Sequence, residues 1–467
     1  MSEKLERKYG LFTAICMVVG IVIGSGVFFK AQTILQKTGG DMPMGILAWI
    51  IGGVIMLVCL MTFSFMGQKY ERVNGIVDYA EATVGPKYGY MMGWFSATIY
   101  FPGMTSVLAW VSARYTLEFI TSAFPNFHMT IPAAEGGCII GPECMALTLF
   151  YLCMIYCLNA LSPKLAGKFQ TSTTVIKMIP LALMAVVGLA VGIVSGTLQE
   201  NFVTPAQVAT GDQAGIMSNP LFASVCATAF AYEGWIIATS INAEIKNSKK
   251  NLPKALLIGG IVIIATYLFY YVAVAGGASN QELVEQGTTV AFTNIFGNIL
   301  GNVLKLFIAI SCLGTTNGLM LGCTRCMYSL AARGKGPKPD TFGQVDKKTN
   351  MPGNSAIFAL MVTGVWFLYF YMSNLAGTWT GPFVFDSSEL PIITIYLMYL
   401  PILIQWMRKE KDQSVTRRFV MPILALCGSV FMVLACILGH GMSCVWYLIV
   451  FAVVMGIGLW VDRRNKK

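Results

Sequence analysis

Apolar stretches of about twenty residues recur along nearly the whole chain, from Leu11 to Val461, with short polar segments between them. A helix rises about 1.5 Å per residue, so each stretch is long enough to cross a hydrocarbon core of ~30 Å. The pattern predicts spans at about 11–37, 45–68, 88–121, 145–161, 169–196, 219–243, 253–279, 299–332, 355–373, 382–407, 418–439 and 444–462. The expected fold class is therefore an all-α membrane protein with 12 transmembrane helices in a single domain over 1–467 and no soluble module. Composition agrees: 56% of the 467 residues are apolar and 12% are charged, where a soluble domain carries roughly 25% charged residues. Glu3, Lys4, Glu6, Arg7 and Lys8 precede an apolar run far longer than a signal-peptide core, so the first stretch is expected to stay as a helix.

The net charge of +10 raises the question of a nucleic-acid partner, and its distribution answers it. Basic residues cluster in alternate loops: Lys4, Arg7 and Lys8; Lys69, Arg72 and Lys87; Lys164 and Lys168; Lys246, Lys249, Lys250 and Lys254; Arg333 to Lys348; Arg408 to Arg418; and Arg463 to Lys467. The opposite loops, 122–144, 197–218, 280–298, 374–381 and 440–443, contain no Lys or Arg, with Lys30 and Lys37 the main exceptions on that side. By the positive-inside rule both termini are expected in the cytoplasm, which requires an even number of spans in a cell membrane. The charge thus sets topology and gives no reason to expect nucleic acid. Thirteen Cys lie mostly inside the apolar spans, without a CxxC and with only His128 and His440 to complement them, so no metal site is expected. Cys138 and Cys144 share one outer loop, where either a disulfide or two unpaired thiols would be compatible with the spacing.

Three features interrupt the hydrophobic pattern. Gly20-Ile-Val-Ile-Gly24-Ser25-Gly26-Val-Phe28 sits in the middle of span 1, and its three glycines weaken the helix there. A break would start an outer half-helix near Ser25, whose free N–H groups and positive dipole end suit a carboxylate. A small-residue packing face, Gly20 with Gly24, explains the same spacing equally well. Phe230-Ala231-Tyr232-Glu233-Gly234-Trp235 lies near the middle of span 6 and places Glu233 too deep to snorkel. Glu233 either faces a polar cavity or is a protonated group bonded to a neighbouring helix. Lys177 is about eight residues inside span 5; it serves a coupling role or snorkels passively. Spans 1 and 6 stand five spans apart, the pattern expected of two inverted five-helix repeats meeting at a central site. The repeats would cover about 11–196 and 219–407, leaving about 418–462 as additional helices.

At these residues the chain resembles the amino acid–polyamine–organocation superfamily, and within it the bacterial L-amino acid transporter branch of serine/threonine and alanine exchangers. The resemblance rests on the two interrupted motifs, on Ala243-Glu-Ile-Lys-Asn-Ser-Lys-Lys-Asn-Leu-Pro-Lys254 after span 6, and on Leu313-Gly-Thr-Thr-Asn-Gly318, Arg325, Tyr328 and Ala332-Arg333-Gly334 in span 8. It implies the LeuT-like fold with broken helices 1 and 6, and an amino acid as substrate. By the same resemblance backbone amides at Ser25 and Gly26 hold the carboxylate, carbonyls near Ile21 and Val22 and near Phe230 and Glu233 hold the ammonium, and Gly24, Ala231 and Tyr232 belong to the same substrate site. Phe230 is the aromatic gate, Asn317 lines the site, and Lys177 stands where sodium-coupled relatives hold a sodium ion. The function implied is sodium-independent exchange of small neutral L-amino acids such as Ala, Ser and Thr. An ionised Glu233 leaves a second course open, exchange or proton-coupled transport of cationic amino acids or amines.

Other classes find little material. A channel would need a ring of charges or a continuous polar path, and a membrane enzyme a nucleophile–base set or metal ligands. A receptor on this scaffold would be expected to carry a soluble module. No cofactor is expected, and the expected partners are the amino acid and the lipid bilayer, with no obligatory protein partner.

Overall fold

The computed structural model describes residues 7, 9–24, 26–70, 75–124, 126–130, 141–206, 220–236, 239, 244–379 and 381–464. Within them the chain is helical almost throughout, as it must be where lipid offers no partner for a free peptide group. The helices are α1 (Leu11–Val22), α2 (Gly26–Lys37), α3 (Met42–Lys69), α4 (Gly75–Thr83), α5 (Pro86–Phe95), α6 (Phe101–Ala123), α7 (Pro142–Leu161), α8 (Pro163–Ser195) and α9 (Thr197–Val203). They continue with α10 (Pro220–Tyr232), α11 (Ser248–Val274), α12 (Asn280–Gln286), α13 (Thr289–Ala331), α14 (Pro339–Phe342), α15 (Gly353–Phe370), α16 (Leu390–Lys409), α17 (Met421–His440) and α18 (Met442–Arg464).

Among the described residues nine helices are long and apolar enough to cross a membrane, and the bent pair α1 and α2 makes ten. The remaining expected spans take other forms. Where the pattern predicts span 3 the chain forms α5 and α6 joined by a π-helical turn over Ser96–Tyr100, and where it predicts span 6 it forms the short α10 followed by a turn. Boundaries follow local chemistry. α8 begins at Pro163, six residues before the expected 169, because proline fits a first helical turn, and it ends where Gly196 turns left-handed at φ 81°. α13 starts ten residues earlier than expected and is bent where Gly297 adopts φ 80°. The short helices between spans escaped the hydrophobic pattern, although α12 carries a capping box, Ser279 with Glu282, that announces its start.

Around α1 and α10 stand α3, α8, α11 and α13, with α6 and α8 both packed on α13. Glycines let several of these helices pack closely. A Cβ on Gly276, just past α11, would lie 2.1 Å from the carbonyl oxygen of Gly188 in α8, and one on Gly52 in α3 would lie 2.0 Å from the Thr228 hydroxyl in α10. Aromatic edges fill the wider gaps: the Trp49 ring centroid lies 5.5 Å from that of Tyr232 and 5.2 Å from that of Tyr267.

The Gly188–Gly276 contact has no flexible atom to give way, so Gly276→Val should force α8 from α11 at a cost of about 1–3 kcal/mol. The expected result is a clear drop in the thermal midpoint of the detergent-solubilised protein, followed by size-exclusion fluorescence. Gly364→Val, where nothing lies within 4 Å of the added carbon, should leave the midpoint nearly unchanged.

Candidate functional site

α1 stops at Val22 because Ile23 leaves the helical region at φ −73° and ψ 91°, and α2 resumes at Gly26 with its axis turned by 45°. α10 stops at Tyr232, and Gly234 takes φ 105°, a conformation that side-chain-bearing residues rarely adopt. Both interruptions are therefore real breaks. They touch each other, since a Cβ on Gly26 would fall 2.8 Å from the Cα of Ala231. Ser25 lies outside the described residues.

A broken helix leaves carbonyls without a partner four residues on, and here buried side chains supply the missing donors. The Lys177 ammonium donates to the Gly20 carbonyl at 2.8 Å, to the Ile23 carbonyl at 2.5 Å and to the Ser311 carbonyl at 3.2 Å, with the Thr315 hydroxyl 3.4 Å away. The side chain is fully buried and turned toward the break, which excludes passive snorkelling in this conformation. Thr315 adds its own hydrogen to Gly20 O at 3.0 Å. The Tyr267 hydroxyl bridges the two breaks, 3.0 Å from Val22 O and 2.8 Å from Ala231 O; its one proton can serve only one of them at a time.

Between the breaks lies a small cavity of about 20 Å³. Ile21, Val22, Gly24 and Gly26 form one wall and Phe230, Glu233 and Gly234 the other, closed by Tyr100, Met104 and Leu108 at the side and by Thr315 and Leu319 from α13. Six of the expected residues thus meet there: Ile21, Val22, Gly24, Gly26, Phe230 and Glu233. Ala231 and Tyr232 adjoin the cavity without lining it. The Ala231 carbonyl is taken up by Tyr267, and Tyr232 points into α3, where its hydroxyl donates to Trp49 O at 3.0 Å. Asn317 does not line the cavity. Its amide donates to Gln170 Oε1 at 2.8 Å and to Ala166 O at 3.3 Å, and its oxygen accepts from Asn159 at 2.8 Å, so it joins α7, α8 and α13. Helical period gives the reason: Thr315 and Leu319, four apart, share the cavity face, while a residue two positions from each lies about 200° round the helix.

Tyr100, Met104 and Leu108 were not anticipated. They recur every four residues on one face, a signal that an ordinary packing stripe also produces. Tyr100 ends the π-helical turn, where the widened coil re-aims a side chain, and its hydroxyl donates to Glu233 Oε1. The other carboxyl oxygen, Oε2, is buried without a hydrogen-bond partner.

Ion pairs tie the surroundings on both sides of the cavity. From within α2, Lys30 bonds Glu389 Oε1 at 2.5 Å, His440 Nε2 stands 3.1 Å from Glu389 Oε2, and the Lys30 ammonium lies 5.1 Å from the Phe230 ring centroid. On the side where α1 begins, Tyr9 and Ile245 form a parallel bridge, with Tyr9 N–H donating to Glu244 O at 3.0 Å and Lys246 N–H to Tyr9 O at 2.8 Å. Glu244 pairs there with the buried Arg325. Among the described residues no group of three or more His, Cys, Asp or Glu could hold a metal ion. Cys144 is buried at the start of α7, while Cys138, its suggested partner, lies outside the described residues.

An assembly of two broken helices around a central cavity has counterparts among known proteins. The chain shares its fold with MhsT, whose crystal structure contains L-phenylalanine: the TM-score is 0.60, the sequence identity 12%, and the match covers 97% of this chain and 100% of the other. It is 28% identical over 473 residues to the serine/threonine exchanger SteT of Bacillus subtilis (strain 168), covering 99% of this chain and 98% of that protein. It is 24% identical to the b(0,+)-type amino acid transporter 1 of Mus musculus over 94% of this chain and 84% of the relative. The family described as amino acid permease matches residues 9–460. Nearly the whole chain falls within that match, and it belongs to the amino acid permeases of the amino acid–polyamine–organocation superfamily, multi-pass membrane proteins that transport amino acids and are not enzymes.

Proposed function

We propose that this permease exchanges small neutral L-amino acids of the Ala, Ser and Thr kind without sodium, by alternating access. The observation that carries the reading is the buried Lys177 ammonium, held by the carbonyls of Gly20, Ile23 and Ser311. A fixed cation already occupies that oxygen cage, which leaves neither room nor charge balance for a sodium ion there. Being covalently attached, it cannot cross the membrane with the substrate, so no ion gradient acts through this position, and in this reading a second amino acid drives the return step. SteT is a serine/threonine exchanger by name, which supports the same substrate class. Membership of the bacterial L-amino acid transporter branch is part of the same proposal, and the likeness to SteT supports it.

In this reading the substrate carboxylate meets the backbone at Gly24, Ser25 and Gly26 ahead of α2, where a helix N-terminus offers free N–H groups. The ammonium meets carbonyls near Ile21 and Val22 and near Phe230, and Phe230 closes over it. α5 with α6, and the run that begins with α10, complete twelve spans in two inverted repeats over about 11–196 and 219–407, with α17 and α18 added. Both termini face the cytoplasm in a cell membrane, in line with the clustered basic loops. The amino acid and the bilayer suffice as partners.

Two outcomes test this. Purified protein in liposomes should take up labelled alanine or serine only when unlabelled amino acid is inside, at a rate indifferent to sodium; uptake into empty vesicles driven by a sodium gradient would overturn the reading. Lys177→Ala should cut that exchange at least tenfold while folded yield falls far less, because the break loses its fixed cation while the helices around it remain packed. Parallel loss of yield and exchange would reduce Lys177 to a structural role.

A further inference from the structure

Glu233 is 4% exposed and lines the cavity between the breaks. One oxygen, Oε1, accepts from Tyr100, while Oε2 is buried with no partner. A carboxylate in such a place, without a cation beside it, costs several kcal/mol in an apolar medium. The groups facing it are Tyr100 from the π-helical turn, the Gly234 N–H, Tyr396 and Tyr399 from α16 and Cys59 from α3; Tyr396 and Gly234 stand with Tyr100 as hydrogen-bond donors to the carboxyl, and none of the group supplies a positive charge. The cations nearest the breaks are committed elsewhere, Lys177 to the carbonyls of α1 and Lys30 to Glu389. The cavity therefore holds an acid with no positive charge beside it among the described residues.

We infer that Glu233 makes the site carry one unit of positive charge beside the amino acid backbone, either a proton on Oε2 when the side chain is neutral, or the side chain's own ammonium or guanidinium when it is cationic. This rests on the proposed exchange and extends its substrate class to cationic amino acids. With alanine or serine, the proton comes from water on the loading side, travels on Glu233 and is released on the other side when the cavity opens. With lysine, Glu233 gives that proton back to the loading side, and the ammonium takes its place against Oε2, the methylenes lying along Met104, Leu108 and Phe230. Tyr100, donating to Oε1 in both cases, positions the carboxyl. Exchange of lysine for alanine then moves one proton opposite to the lysine and no net charge.

The sign follows from linkage. Cationic substrates need the ionised carboxyl and gain as pH rises, whereas neutral ones need the proton and gain as pH falls. On the acid side of the Glu233 transition the apparent affinity for lysine should fall about tenfold per pH unit.

The experiment uses the full chain in liposomes loaded with unlabelled alanine. It follows labelled L-lysine and L-alanine from about pH 6 to about pH 8, with dyes for internal pH and membrane potential alongside. The expected result is a lysine-to-alanine preference that rises with pH, and lysine-for-alanine exchange that shifts internal pH without building a potential. Glu233→Gln should lower lysine uptake at least tenfold and make alanine uptake independent of pH, and Glu233→Asp should restore part of both. A preference that is flat with pH, or exchange that builds a potential, would overturn the charge rule even if the variants fail to fold. Alanine-for-alanine exchange without lysine uptake at any pH would also overturn it and leave the proposed exchanger intact, while failure of alanine exchange itself would remove both.

Discussion

A helix interrupted in the middle of a membrane exposes peptide groups that lipid cannot satisfy, and every other feature of the site depends on how that debt is met. Here the main answer is a single ammonium. Lys177 reaches across from α8 and caps the carbonyls of Gly20 and Ile23 on the broken helix, and it touches Ser311 on α13. Removing it would leave buried acceptors at the place where α1 ends. With it, three helices from distant parts of the chain are held to one point.

The same accounting explains why the two breaks are held so differently. The first is fastened by a charge that is part of the protein. The second, after Tyr232, is fastened by the Tyr267 hydroxyl and by contact of Ala231 with Gly26, and it presents an acid whose second oxygen has no partner. Around the cavity, Lys30 with Glu389 joins α2 to the residue before α16, and Glu244 with Arg325 joins the segment after α10 to α13.

Much of this was legible in the chain. Lipid enforces helices of a given length, so the spans could be read from hydrophobicity, and glycine clusters with a deep Glu marked the two breaks because both are expensive anywhere else. Lys177 stood out for the same reason. What could not be read was rotation about a helix axis. Asn317 looks like a site residue in sequence, yet it is turned away from the cavity by its offset from Thr315 and serves instead to join Asn159 and Gln170. Tyr100 looks like one aromatic among many, and only the π-helical turn before it aims its hydroxyl at Glu233. The start of α8 and the bend in α13 depend on Pro163 and Gly297, whose effects are local and leave hydropathy unchanged.

The central claim is that unwound backbone at the two breaks, steadied by Lys177, grips the two charged ends of an amino acid. An experimental structure of the permease with bound L-serine or L-alanine tests it most directly. The account predicts the substrate carboxylate within hydrogen-bond reach of backbone N–H groups between Gly24 and Val27, and its ammonium against carbonyls at the ends of α1 and α10, with Lys177 still on Gly20 and Ile23. An amino acid bound away from the breaks, or α1 and α2 running as one continuous helix, would contradict it.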